Sequence, residues 1–163
     1  MAKTDAFFIR ARTSTNGTTY AESSVDLGSY VDALGKSVLR IHNIEVQYGA
    51  PLELIPGAPN TATRSAFQLT TQSQTGLVGI TDKSVIASGN LLVCTNNTHP
   101  DFVQDTLNVG PQQWTKGYLV GVEQIYLGVD QMFDHLEEIS IMLECTVETL
   151  SQSAAMALAL SQQ

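Results

Sequence analysis

The sequence predicts an all-β fold: a two-sheet antiparallel sandwich of about eight strands with a short C-terminal helix. Three observations support it. Residues 138–150 alternate strictly between apolar and polar, two other long runs alternate with one phase shift each, and helical periodicity is missing before the last dozen residues. A chain of 163 residues suits one domain with one core. We place the sandwich in residues 1–150 and an apolar helical tail in residues 151–163.

Residues 138–150 have the clearest strand pattern. Every second residue is apolar and falls on one face of an extended chain: Ile139, Ile141, Leu143, Cys145 and Val147. We expect the opposite face, which carries Glu144 and Glu148, to be solvated. Two spaced acids also suit glycoside hydrolysis, but acids on the polar face of a strand are typical of a wet surface.

The remaining strands follow from shorter alternating runs. Residues 6–12 predict the first strand, and Asn16-Gly17 is a strong turn signal. The other predicted strands are residues 20–27, 64–72, 77–80 and 83–95, the last in two halves around Gly89. Residues 28–35 are compatible with either one helical turn or a loop.

Two long runs, residues 37–48 and 117–129, each contain one phase shift. In the first, Leu39 and Ile41 share a face, and Ile44 and Val46 continue it after a one-residue slip at His42-Asn43. In the second, the slip falls at Glu123-Gln124. A single extra residue is what a β-bulge inserts, so both runs predict bent, bulged strands in a curved sheet.

Two long connections decide between topologies. Residues 49–63 and 96–114 are rich in Pro, Gly and Asn and are predicted as loops. Long connections in an all-β chain favour jelly-roll crossovers over a simple meander. Trp114 lies in a Pro/Gly-flanked loop rather than in a strand, which argues against an immunoglobulin-like sandwich.

The net charge of −8 is distributed unevenly, because all eight basic residues lie at or before Lys116. Direct nucleic-acid contact needs clustered cations, and we expect none here, although Arg10, Arg12 and Arg40 would form a small patch if their strands were neighbours. The apolar run 6–9 is too short for a signal peptide. No run reaches the roughly 18 apolar residues of a membrane span.

The motif content argues against an enzyme. The sequence lacks a nucleophile elbow, a phosphate loop and a dinucleotide fingerprint, so we expect no catalysis and no cofactor. The best candidates for a metal site are Asp130, Asp134, His135 and Glu137. A non-catalytic module that binds carbohydrate or a metal ion is therefore the alternative function. For Cys94 and Cys145 we favour two reduced core thiols over a disulfide.

The closing segment changes period. Ser151 or Thr149 can cap a helix that runs to about Ser161, and apolar residues cover most of its circumference. Such a helix either docks on its own domain or inserts between subunits. Candidate subunit-interface residues lie in this helix and in the first long loop: Leu52, Leu54, Ile55, Met156, Leu158 and Leu160.

The chain resembles the single jelly-roll coat proteins of icosahedral viruses. The features that carry the resemblance are the long bulged strands, the long Pro/Gly loops, the low charge and the missing active-site motif. The resemblance implies a structural capsid subunit that self-assembles into a shell, in a large homo-oligomer with copies of itself and with other virion proteins. It also implies a location in the virion after assembly in the host cytoplasm. The chain departs from many such proteins in lacking a basic N-terminal arm, so genome neutralisation would fall to another protein or to an internal membrane.

Overall fold

The computed structural model describes residues 3–32, 34, 36–51, 60–95 and 100–163. Within these residues the chain forms nine β-strands, one α-helix and one short 3-10 turn, Pro111–Gln113. The strands are β1 (Phe7–Ser14), β2 (Ala21–Asp26), β3 (Ser37–Tyr48), β4 (Ala62–Thr70), β5 (Val85–Thr95), β6 (Pro100–Val109), β7 (Tyr118–Val120), β8 (Gln124–Gln131) and β9 (Glu138–Thr149). The helix is α1 (Gln152–Ser161).

The strands form two antiparallel sheets. One has the order β1-β9-β3-β7 and the other β2-β8-β4-β5-β6. Except for β4, β5 and β6, neighbours in a sheet are not consecutive in the chain, so the chain crosses repeatedly from one sheet to the other. This is a jelly-roll sandwich, and the predicted fold class is confirmed with nine described strands rather than about eight.

The core lies between the sheets, and β9 contributes its predicted face to it. Ile139, Ile141, Leu143 and Cys145 are buried there, as the alternation predicted. The opposite face of β9 is not uniformly wet, however. Glu148 is only 6% exposed, because Arg40 from the neighbouring strand β3 covers its carboxylate. The prediction that Glu148 lies on a solvated face is therefore wrong.

Only one of the two predicted bulges is present. The β3–β9 pairing shifts register between Ile41 and Asn43, where the bulge was expected. The run 117–129, by contrast, is not one bulged strand. It divides into β7 in the four-stranded sheet and β8 in the five-stranded sheet. The phase shift at residues 121–123 marks the crossing between sheets, after which inward-facing apolar residues resume in a new strand.

The segments around β5 also differ from expectation. β5 is one continuous strand through Gly89, and the region predicted as a loop contains β6, which pairs with β5 along its length. Pro100 is the first residue of β6, a position where a missing N–H costs no ladder bond. Residues 77–80 do not form a strand. Instead, the Val78 N–H donates to Gln68 Oε1 at 2.8 Å, so this loop lies across β4.

Candidate subunit-contact surface

The C-terminal helix α1 begins as predicted. Ser151 is its N-cap, and its hydroxyl accepts a hydrogen bond from the Ala154 N–H at 3.3 Å. One side of the helix packs on its own domain, where Ala155 and Ala159 are buried. This close approach depends on Gly121, since a Cβ there would lie 3.0 Å from Leu158 Cγ. The small residues therefore let the helix axis lie close against the crossing between β7 and β8.

Gln162 fastens the end of the helix to the sandwich. Its side chain is buried, accepts from the Gly121 N–H at 2.8 Å and donates to the Leu119 carbonyl at 2.7 Å. Its main-chain carbonyl accepts from Thr71 Oγ1 at 2.9 Å. These bonds connect one residue to β7, to the crossing between β7 and β8, and to the residue that follows β4. The helix is therefore docked on its own domain and held in a defined orientation.

The opposite side of α1 is apolar and exposed. Met156 is 44% and Leu160 is 68% exposed, and their spacing of four residues places them on one helix face. No charged residue occurs in residues 149–163. Apolar side chains exposed together on one helix face make that face a candidate for contact with another protein. We call Met156 and Leu160, with the exposed Ala157 between them, the helix face.

The candidate subunit-interface residues differ in how far the structure exposes them. Met156 and Leu160 project from the helix face, whereas Leu158 is half-buried against Gly121. Leu52, Leu54 and Ile55 lie outside the described residues. Of the two alternatives for α1, the structure shows docking on its own domain through the alanine side. Contact between the helix face and a neighbouring subunit stays a prediction.

The predicted metal ligands are not gathered around one point. His135 Nε2 contacts Ser65 Oγ at 3.1 Å, and Asp134 Oδ1 accepts from Gln131 Nε2 at 3.5 Å. Asp130 is on β8 opposite Ala66, and Glu137 is exposed in the loop before β9. In the part of the chain that the structure describes, no three His, Cys, Asp or Glu side chains are grouped to hold a metal ion.

The same loop exposes two large apolar side chains that the sequence reasoning did not single out. Met132 is 55% and Phe133 is 48% exposed. The Gln131 side chain anchors the loop by donating to the Gly17 carbonyl at 2.9 Å. This end of the sandwich therefore presents an apolar surface of its own, remote in sequence from α1.

The outer face of the four-stranded sheet carries a charge cluster. Arg40 Nε contacts Glu148 Oε1 at 2.7 Å, and Lys3 Nζ lies 3.5 Å from the same oxygen. Hydrogen bonds from Arg40 hold the pKa of Glu148 below its ordinary value. The strands that carry Arg10, Arg12 and Arg40 are not neighbours, since β9 separates β1 from β3, so the condition for a patch of these arginines is not met.

The two thiols differ in their surroundings. Neither cysteine is in a disulfide. Cys145 is buried in the core, and burial raises the pKa of its thiol to about 12. Cys94 on β5 is half-buried. Both are free thiols in this structure, as we favoured, but only Cys145 lies in the core as predicted.

The sequence indicated the helix α1 more clearly than it indicated the residues that hold α1 on the sandwich. Gln162 is one of many polar residues near the end of the chain, and nothing in its neighbours distinguishes it. Gly121 was visible as a break in an alternating run but was assigned to a strand. A glycine between two apolar alternating runs of different phase is the signal that could have indicated the close approach.

Comparison by sequence identifies no family for this chain. No family model matches the chain, and no curated protein matches it. Among the described residues, no helix has the length and apolar character needed to cross a membrane.

Comparison by structure gives a definite fold. An unassembled VP1 pentamer of KI polyomavirus matches with a TM-score of 0.55 and 7% identity, over 90% of this chain and 95% of that chain. The VP1 pentamer of human polyomavirus 6 matches with a TM-score of 0.50 and 9% identity, over 89% and 95%. A mutant VP1 pentamer of Washington University polyomavirus matches with a TM-score of 0.50 and 10% identity, again over 89% and 95%. The chain thus resembles viral capsid proteins in its jelly-roll fold.

Proposed function

We propose that the chain is a structural capsid subunit that assembles with copies of itself into an icosahedral shell. The jelly-roll strand order carries this proposal, because structures with the same fold over 89–90% of the chain are capsid-protein pentamers. Function does not follow from fold alone. The proposal therefore also depends on surfaces that a lone domain would be expected to cover.

The helix face is the first of these surfaces. Full burial of a Leu or Met side chain contributes about 1.5–3 kcal/mol, and Met156 and Leu160 leave much of that contribution unrealised in one copy. In the assembly the helix face packs against a neighbouring subunit. Residues 1–150 then act as the shell-forming sandwich, and residues 151–163 act as a contact tail docked on it. Leu52, Leu54 and Ile55 remain proposed contacts in the same assembly.

The proposal also covers location and partners. The protein would reside in the virion, assemble in the host cytoplasm, and contact other virion proteins in addition to itself. Its role is structural rather than catalytic. With a net charge of −8 it is poorly suited to neutralise a genome directly, so we propose that another component lines the shell.

Electron microscopy and size-exclusion chromatography with light scattering test the proposal. The purified protein at physiological salt is expected to form large closed particles or their oligomeric building blocks. A monodisperse monomer at high protein concentration would contradict the proposal.

The helix face has its own test. The double variant Met156→Gln with Leu160→Gln should keep its fold, since both side chains are exposed, but should lose most particle formation. The matched control is Ile80→Gln, because Ile80 is 65% exposed and lies in a loop outside α1. Equal particle yields from the double variant and wild type would remove the helix face from the assembly contacts.

A further inference from the structure

Three of the eight basic residues of the chain line one cavity on the four-stranded sheet, near the end of β9. The cavity has a volume of about 400 Å³ and is lined by Lys3, Arg40, His42, Thr115, Lys116 and Glu148. A chain with a net charge of −8 is not expected to gather its few cations at one place. We call this the cation cavity.

Main-chain contacts of the first described residues bring Lys3 to the cation cavity. Lys3 forms an isolated bridge with Glu148 on β9. The Thr4 N–H donates to the Val147 carbonyl at 3.1 Å, and the Val147 N–H donates to Thr4 Oγ1 at 2.9 Å. These bonds hold the segment against β9, so the Lys3 side chain projects from a defined position.

The turn before β7 brings Thr115 and Lys116 to the same cavity. Gly117 has a φ of 67°, and a Cβ there would lie 2.2 Å from the Ile41 carbonyl oxygen. Only glycine suits this conformation at so close an approach. The Lys116 carbonyl also accepts a hydrogen bond from Arg40 Nη1. The turn is thus fixed against β3, and its two polar residues line the cavity from that side.

The β-bulge in β3 places His42 in the lining of the cation cavity. Burial lowers the pKa of His42, and the charges of Lys3 and Arg40 lower it further. Glu144 and Glu148 act in the opposite direction with smaller effect. The cations therefore outweigh the carboxylates at the imidazole, in agreement with the composition of the cavity wall.

Glu148 is the one acidic residue in the lining, and its charge is already compensated. Arg40 donates to both of its carboxylate oxygens, and Lys3 Nζ lies 3.5 Å from one of them. Among the described residues, no carboxylate lies within ion-pair distance of the Lys116 ammonium. Three cations and one carboxylate leave the cavity with a net charge of +2 when His42 is neutral.

We propose that the cation cavity binds a phosphate group, as free phosphate or as the head of a phosphate monoester. A phosphate monoester carries a charge of about −1.5 to −2 at neutral pH, which matches the surplus of +2, whereas a carboxylate would neutralise half of it. Lysine is a common phosphate ligand, and the Thr115 hydroxyl adds a donor.

This inference goes beyond the capsid role and does not depend on it, because the cavity is formed within one copy of the chain. A site for one phosphate group is also compatible with a chain that does not neutralise a genome. Bound phosphate would link three separate segments: the N-terminal residues, the turn before β7 and the β3–β9 pair.

Equilibrium dialysis of the purified protein with radiolabelled inorganic phosphate, at fixed ionic strength, tests the site. We expect saturable binding of one phosphate per chain. Lys116→Gln should weaken binding about fivefold, because it removes one exposed charge contact. Lys83→Gln is the matched control, since it removes the same charge from the loop before β5, outside the cavity. Equal binding by these two variants, or no saturable binding to wild type, would overturn the proposal.

Glu148→Gln should change phosphate binding in the opposite direction. This variant removes the resident carboxylate and leaves the charges of Arg40 and Lys3 to the phosphate, so binding should tighten about fivefold or more. A purely structural role of Glu148 would instead weaken binding. Weaker binding by Glu148→Gln that is folded by circular dichroism would overturn the proposal, and the Lys116→Gln comparison decides it if this variant does not fold.

The dependence of binding on pH tests the place of His42 in the site. Sulfate keeps a charge of −2 at neutral and mildly acidic pH, so it serves as a probe that does not itself titrate. Its affinity should rise as the pH falls below 6.5, the ordinary pKa of histidine, and His42 becomes cationic. The other charged groups that face His42, namely Lys3, Arg40, Glu144 and Glu148, are unchanged in His42→Gln. A rise of equal size in that variant would overturn the inclusion of His42.

Competition identifies the source of the phosphate group. Unlabelled glycerol 3-phosphate that displaces labelled phosphate at lower concentration than unlabelled phosphate itself would support a phosphorylated molecule as the ligand. The reverse order would support the free ion.

The outcomes also separate this site from the capsid function. Saturable phosphate binding by a protein that stays monomeric would support the site and overturn the capsid function. Particles that bind no phosphate would overturn the site and leave the capsid function standing.

Discussion

Arg40 and Glu148 form a two-point ion pair on the outer face of the four-stranded sheet. Arg40 Nε lies 2.7 Å from Glu148 Oε1, and Arg40 Nη2 lies 2.8 Å from Glu148 Oε2. The two side chains are only 15% and 8% exposed. Because a buried carboxylate is costly without a counter-charge, this pair links β3 and β9 at the end of the sheet where α1 begins.

Removal of Arg40 should therefore destabilise the domain strongly. We expect Arg40→Met to lower the free energy of unfolding by about 3 kcal/mol, since it leaves Glu148 buried with only Lys3 nearby. Urea unfolding followed by circular dichroism at fixed protein concentration measures this. Arg12→Met is the control, because its partner contact is exposed and should be worth less than about 1 kcal/mol. Equal losses from both variants would contradict the burial argument.

The same pair makes stability depend on pH. Hydrogen bonds from Arg40 lower the pKa of Glu148 from its ordinary value of 4.5. A carboxylate with a depressed pKa in the folded state stabilises fully above its unfolded pKa and loses that contribution as pH falls through the folded pKa. The stability difference between wild type and Glu148→Gln should thus be constant well above pH 4.5 and should shrink as the pH is lowered below 4.5. A difference that stays constant below that pH would exclude the assigned role.

Gln162 should control the docking of α1 without changing the core. Gln162→Ala removes the partners of the Gly121 N–H and the Leu119 carbonyl, and each unsatisfied buried group costs about 1–3 kcal/mol. We expect faster hydrogen exchange at the amides of α1 and unchanged exchange in β9. Gln163→Ala is the control, since that side chain is exposed. Unchanged exchange in α1 would show that the alanine side alone holds the helix.

The sequence predicted the structure correctly where a repeating pattern of neighbouring residues matched one pattern of burial or capping. The alternation of Ile139 through Cys145 matched a buried face, and Ser151 began the helix where its capping chemistry indicated. These features depend on neighbours in the chain, which the sequence shows directly. The jelly-roll topology was also predicted correctly, although one of the two long connections on which the prediction rested contains β6.

The sequence was insufficient where distant residues decide the outcome. A β-bulge and a crossing between sheets produce the same one-residue phase shift, so 117–129 resembled 37–48 although only the latter is one strand. Glu148 looks solvated until Arg40 is known to lie on the adjacent strand. The exposed helix face is likewise a property of packing, which alternation alone does not reveal.

The two cysteines should react at very different rates. Burial raises the pKa of Cys145 to about 12, so at pH 8 roughly one thiol in ten thousand is ionised, and the core also blocks access. Cys94 is half-buried and more accessible. We expect one fast thiol per chain with an aromatic disulfide reagent under native conditions and two in denaturant. The Cys94→Ser variant should show no fast thiol, and a fast thiol in that variant would contradict the burial of Cys145.

Gly128 should be intolerant of any side chain, because Tyr20 lies directly over it. A Cβ at this position would lie 2.0 Å from the Tyr20 hydroxyl oxygen. That hydroxyl accepts from Gln68 Nε2 at 2.9 Å and donates to Glu22 Oε2 at 2.9 Å. Gly128→Ala must displace the ring and disrupt both bonds, so we expect a loss of about 1–3 kcal/mol in the free energy of unfolding.

Two controls separate crowding from the lost hydrogen bonds at this site. Gly76→Ala should change stability little, because a Cβ there has no atom within 4 Å. Tyr20→Phe keeps the ring in place and removes the hydroxyl, so it should cost about 1 kcal/mol. If Gly128→Ala were as stable as wild type in urea, the Tyr20 ring would have to move freely, and the network from Glu22 to Gln68 would not hold β2 against β8 and β4.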